Sequence, residues 1–149
     1  MSTQPQLADG YYAVLDPDDD STMTCWRVKN GGVHPHPKTA WYGPPRPLRK
    51  DAPSPKGGPE FQEWMRAYFD EWTGWARRVQ DAIAVSPLTA QHEFAKATGH
   101  CCNCGRALKD GASRVLGIGP DCRERIPHPV LMAYLAEVRK TQTADQEPC

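Results

Sequence analysis

The chain has 149 residues, enough for one domain, or one small domain with a mobile arm, but not for two of full size. Eighteen basic residues balance eighteen acidic ones, so a strongly basic nucleic-acid coat or an acidic tail protein is a poor expectation. Mean hydropathy is −0.67, no apolar run approaches the roughly 18 residues that span a bilayer, and Met1-Ser-Thr-Gln-Pro5 lacks a charged-then-apolar export pattern. These features point to a cytoplasmic protein without membrane contact.

Residues 1–32 form a β-rich segment. Tyr11–Leu15 is rich in β-formers, Asp16–Ser21 is turn material, and Thr22–Val28 is again β-prone. A small hairpin is expected, ended by Asn30-Gly-Gly32, and it must pack on something because two strands alone are marginal in water. Residues 33–58 read as a Pro-rich basic linker; counting Pro59, the stretch 33–59 holds eight prolines, and Lys50–Gly58 is expected to be disordered.

Pro59 opens a strong helical pattern over 59–85. Phe61, Met65, Tyr68, Trp72, Trp75 and Val79 recur at spacings of three and four, with Trp64, Phe69 and Ile83 beside them. The simplest expectation for this Trp-rich face is the core of a small protein; a partner groove is the alternative. Residues 86–140 read as a helix plus a finger module. Ser86-Pro87 is a helix start and Gly99 a stop, with Leu88, Phe94 and Ala95 as buried candidates. Pro127 and Pro129 interrupt the chain before a short amphipathic helix on Leu131, Tyr134, Leu135 and Val138, and the tail 141–149 is expected to be disordered.

The neutral total hides an uneven distribution. Residues 1–26 carry five acids and no base, and residues 27–56 carry seven bases and one acid. Of six cysteines, Cys101, Cys102 and Cys104 fall within four positions. Without an export signal, metal binding is a better reading than disulfides. Cys101 and Cys104 have C-x2-C spacing followed by Gly105, the zinc-knuckle pattern, in which two thiolates converge on one ion. Ala107–Lys109 and Ser113–Leu116 are expected to pair across an Asp110-Gly111 turn. Pro120 suits the first turn of a helix, which places Cys122 where the helix dipole favours a thiolate. The expected fold class is α+β: a small N-terminal β hairpin, amphipathic helices and a C-terminal treble-clef-like zinc finger. Zn2+ is the expected cofactor, in a structural role. A fourth ligand is not fixed by spacing, because position 119 is glycine; His128 is the first candidate, with His100 and Cys102 as alternatives.

Gly99-His-Cys-Cys-Asn-Cys-Gly-Arg-Ala-Leu-Lys-Asp110, with Ser113 and Gly117-Ile-Gly-Pro-Asp-Cys122, resembles a small zinc-finger-like domain family of unknown function found in actinobacteria and their phages. The resemblance covers roughly 25 residues. It supplies three cysteines and no activity, so it implies a module and not a reaction. The helix from Ser86 to Gly99 is similar to the one that leads into such fingers, and Tyr12-Ala-Val and Trp26-Arg-Val resemble, more weakly, their short β segment.

Arg106, Lys109, Arg114, Arg123 and Arg125 surround the finger, and Arg46, Arg49, Lys50 and Trp41 lie in the linker. Together they suggest phosphate contacts, with Trp41 stacking on bases. No Ser/His/Asp or Cys/His spacing argues for catalysis. The expected protein is therefore a non-enzymatic zinc-binding, nucleic-acid-binding or regulatory module of the cytoplasm; the family resemblance implies phages as one source, and a phage-encoded chain would act in host cytoplasm. The alternative is an adaptor or inhibitor that engages a host enzyme through the Trp-rich helix or the linker. His34-Pro-His36 is preferentially read as an exposed loop, with a metal site shared with Cys25 as the alternative, and Cys149 reads as a free thiol.

Overall fold

A computed structural model describes residues 6–146 and, of their side chains, those up to 142. The architecture is α+β: three antiparallel strands in the order β1-β2-β3 and five helices. β1 (Gly10–Asp16) pairs with β2 (Asp19–Lys29) across Pro17-Asp18, so the turn is shorter than the acidic run suggested. A third strand, β3 (Gly32–Pro35), extends the expected hairpin. Asn30 (φ 52) and Gly31 (φ 82) both adopt the left-handed conformation that a tight two-residue hairpin turn requires. Asn-Gly is thus a hairpin signal, and the chain doubles back where the sequence suggested that pairing ends.

The sheet is apolar on both faces, and side chains alternate between two cores. Tyr11 and Ala13, joined by Met23 and Cys25, face α2 (Pro87–Thr98), the finger and α5 (His128–Gln146). Tyr12, Trp26 and Val28, joined by Val14 and Val33, face the second half of α1 (Pro59–Val85). Thr24 is the buried polar residue of the second face; its hydroxyl donates to the Val14 carbonyl (2.8 Å) and accepts from Trp26 Nε1 (2.8 Å).

α1 begins at Pro59, but its buried residues are Trp75, Val79 and Ile83, all in its C-terminal half. The expectation of one continuous core stripe therefore holds for half of the helix. The other half faces the linker. That segment is not a bare tether: His36 packs edge-on against Tyr11 (5.1 Å between centroids) and Phe94 (5.5 Å). The Tyr42 ring lies tilted against Trp26 (5.6 Å between centroids), and its hydroxyl donates to the His36 carbonyl (3.0 Å). Lys50–Gly58, expected to be disordered, includes the end of a 3-10 turn at Arg49–Asp51 and a turn closed by Gly58 N–H to the Pro55 carbonyl (2.9 Å). At the other end α5 continues through 141–146, inside the tail expected to be disordered; residues 147–149, with Cys149, lie outside the described residues.

Candidate metal centre

α2 ends at Gly99 and delivers the chain into a tight loop. Leu108 N–H donates to the Gly99 carbonyl, Cys101 N–H to Arg106 O and Gly105 N–H to Cys101 O, each at 2.8 Å. His100 and Ala107 form a single antiparallel bridge across it. Gly105 (φ +80) lies so close to Tyr11 that a Cβ would sit 2.7 Å from the phenol oxygen, so no side chain fits there. The loop also docks on the sheet: Tyr11 N–H donates to the Cys102 carbonyl at 2.7 Å, at the outer edge of β1.

Beyond Lys109 the structure corrects the sequence reading. Ser113–Leu116 is not a strand paired with Ala107–Lys109; it belongs to α3 (Gly111–Leu116). Asp110 is its N-cap, with the carboxylate accepting from Ser113 N–H at 3.0 Å. The adjacent Ser113, through this contact, holds that carboxyl below its ordinary range. An Asp followed three residues later by a buried small residue is a cap geometry as readily as a turn, and the cap wins here. The finger thus keeps a knuckle and a helix-borne cysteine but replaces the treble-clef hairpin with a short helix. α4 (Pro120–Arg125) then starts at Pro120 and carries Cys122 in its first turn.

The result is convergence. The sulfurs of Cys101, Cys104 and Cys122 all lie within 4.8 Å of one another. Thiolates sharing one tetrahedral zinc sit roughly 3.8 Å apart, given Zn–S bonds of about 2.3 Å, so small side-chain movements bring these three to coordination distance. Cys101 and Cys122 are buried and Cys104 is exposed. Burial alone would disfavour the Cys101 thiolate, but the N–H groups of Gly119, Cys104 and Asn103 outweigh it and the net shift is downward. Two of these, from Asn103 and Gly119, reach the sulfur at 3.4 Å. Backbone amides aimed at sulfur stabilise a thiolate, as a metal ligand needs. Burial, followed by its thiol neighbours, pushes Cys122 up to about 11.

The candidates for a fourth ligand lie elsewhere. His128 is exposed at the start of α5 and is not in the metal-competent group. His100 places Nδ1 3.0 Å from the Gly105 carbonyl and is also outside the group. Cys102 points into the core beside Phe94 and Tyr134, 2 % exposed, and burial pushes its thiol up to about 12. It is a buried neutral thiol outside the metal-competent group, although it is close enough to Cys101 and Cys122 to interact with them electrostatically. Cys25, His34 and His36 form no metal-competent group among the described residues.

A cavity of about 340 Å³ opens beside the cysteines, lined in part by Arg106, Lys109, Arg125, Asp110 and Asp121. Arg106 is exposed and stands 3.9 Å from the Asp121 carboxylate. Arg114 donates from Nε to the Leu108 carbonyl (3.1 Å), and Arg123 is half-buried near Asp110. The finger rim is therefore of mixed sign. In the linker, Trp41, Arg46 and Arg49 line a second and larger cavity, whereas Lys50 is exposed outside it. The opposite wall of that cavity is the first half of α1, whose aromatic residues sequence reasoning assigned to the core. The available signal was the charge imbalance of 27–56 immediately before an aromatic-rich helix.

Residues 91–127, from within α2 to the end of α4 and the next turn, match a family of unknown function (DUF6011). The β segment of residues 10–35 lies outside that match. No curated protein and no solved structure matches the chain. Among the described residues no helix is long and apolar enough to cross a membrane.

Proposed function

We propose that the protein is a small non-enzymatic module in which a structural zinc ion closes the finger and basic side chains contact nucleic acid. The convergence of Cys101, Cys104 and Cys122, with backbone amides directed at the Cys101 sulfur, carries this reading. A thiolate-rich donor set suits Zn2+ among the common divalent ions. The ion would tie the α2 end, the knuckle and the α4 start together and so supply folding free energy to a short, loop-rich segment. Phosphate contact would come from the exposed bases of the finger rim and the linker, chiefly Arg106, Lys109, Arg125, Arg46 and Arg49, as a salt-dependent term.

The experiment pairs two measurements on the full chain. Metal analysis should find one zinc per chain in the wild type and little in Cys104→Ser. Titration with nucleic acid over a salt series should show affinity falling steeply as salt rises. Unchanged metal in the variant sinks the ligand assignment, and affinity indifferent to salt sinks the phosphate contacts.

A further inference from the structure

The first four turns of α1 and the linker enclose a groove of about 860 Å³. That lies toward the upper end of the roughly 300–1,000 Å³ typical of ligand sites. Among the described residues its charged lining is Lys38, Arg46, Arg49 and Lys56, with no acidic residue. Aromatic rings dominate the rest, from Trp41 on the linker side to Phe61, Trp64 and Phe69 on the helix. Trp41 is 53 % exposed and Phe69 54 % exposed, a large apolar exposure for a water-facing surface. The Arg46 guanidinium already stacks over the Trp41 ring, 4.7 Å from its centroid. Tyr68 also lines the groove, and its hydroxyl is enclosed without a hydrogen-bond partner.

Cations without acids select an anionic occupant, and exposed rings select one with flat apolar faces. Unpaired nucleotides combine both properties, whereas in a duplex the base faces are already stacked on one another. We infer that this groove binds single-stranded nucleic acid, with bases stacked on Trp41 and the aromatic residues of α1 and phosphates held by Lys38, Arg46, Arg49 and Lys56. This rests on the nucleic-acid reading above and narrows it from a charged surface to a stacking site.

The test uses the full, zinc-loaded chain and three probes: a short oligothymidylate, a duplex of the same length, and an acidic polyglutamate peptide. Binding is read by the fluorescence anisotropy of dye-labelled probes, a signal that does not depend on the tryptophans the variants remove. The expected result is tighter binding of oligothymidylate than of duplex, and a loss of roughly tenfold or more in the Trp41→Ala/Trp64→Ala double variant. Should that variant fail to fold, Lys38→Glu/Arg49→Glu, at two exposed positions, should weaken binding and flatten its salt dependence. Duplex binding as tight as single-strand binding, unmoved by either variant, overturns the groove but leaves the nucleic-acid reading intact. No binding of either nucleic acid overturns both, and capture of polyglutamate alone reassigns the groove to an acidic protein partner.

Discussion

Trp75, in the apolar stripe of α1, and Trp64, beside that stripe, meet opposite fates. Trp75 is 1 % exposed, packed on Trp26 (5.7 Å) with its Nε1 donating to Asp16 (2.9 Å). Trp64 is only half-buried, with Phe61 beside it (5.7 Å) and the linker opposite. A sheet face stands across from one and a proline-rich segment across from the other. A sheet presents a continuous layer of side chains that closes over an indole; an irregular segment leaves gaps. The comparison teaches that an amphipathic stripe reports which face of a helix is apolar, and that what covers it depends on the element opposite.

The largest effect should come from the metal centre, which belongs to the closed region. Chelation, or Cys104→Ser, should unfold the finger and lower stability by several kcal/mol, on a scale where zinc contributes about 10–16 kcal/mol to isolated finger peptides. Because Cys104 is exposed, the substitution removes a ligand and no core packing. Thermal melts and metal content should fall together, and Cys102→Ala should keep its zinc. A Cys102→Ala protein that loses the ion would redraw the ligand set.

Next come the aromatic residues. Phe94→Ala, at a fully buried position against Tyr11 (5.0 Å), should cost about 3–5 kcal/mol in denaturant unfolding. Trp64→Ala should cost less than about 1 kcal/mol, within the range of substitutions outside a core. Equal losses would erase the distinction between the two regions. Gly43→Ala probes their seam: φ is +89, and a Cβ would stand 2.7 Å from the Trp75 ring. Combined backbone strain and overpacking should remove about 2–4 kcal/mol, again read by denaturant melts.

The smallest effect concerns His36. Burial, then the neighbouring His100 and Arg27 charges, lowers its pKa below the ordinary 6.5. The folded state thus prefers the neutral ring, and the unfolded state binds the proton more readily. Its contribution is complete above pH 6.5 and declines as pH falls below that value toward the lowered folded pKa. His36→Gln should flatten the melting-temperature decline between neutral and mildly acid pH. An unchanged slope would assign that decline to other groups.

Much of this fold was legible because period and punctuation coincided. Pro59, the three-and-four spacing and Ser86-Pro87 bound α1 as it stands, and Gly99 ends α2. The C-x2-C pair and Cys122 converge because the knuckle and a proline-started helix are local devices. The rest was hidden for physical reasons. β3 is four residues long, too short to show alternation, and its signal lies in the Asn30-Gly31 turn. Asp110 serves equally as turn residue and helix cap, and the residue pattern is the same for both. The groove is a relation between two segments without a common period, and no local pattern encodes it.

The hydrogen bond from Tyr11 N–H to the Cys102 carbonyl has a consequence for handling the protein. β1 is an edge strand, and the finger loop caps part of that edge. Unfolding of the loop on metal loss would free backbone donors and acceptors that template pairing with another chain. The chelated protein should therefore aggregate through strand addition, seen as light scattering that grows with concentration and is prevented by zinc. Clear solutions of the chelated protein at every concentration would show that the edge stays protected. Aggregation on chelation, by contrast, would make metal supply govern solubility as well as folding, and purification in chelating buffers would select against the native chain.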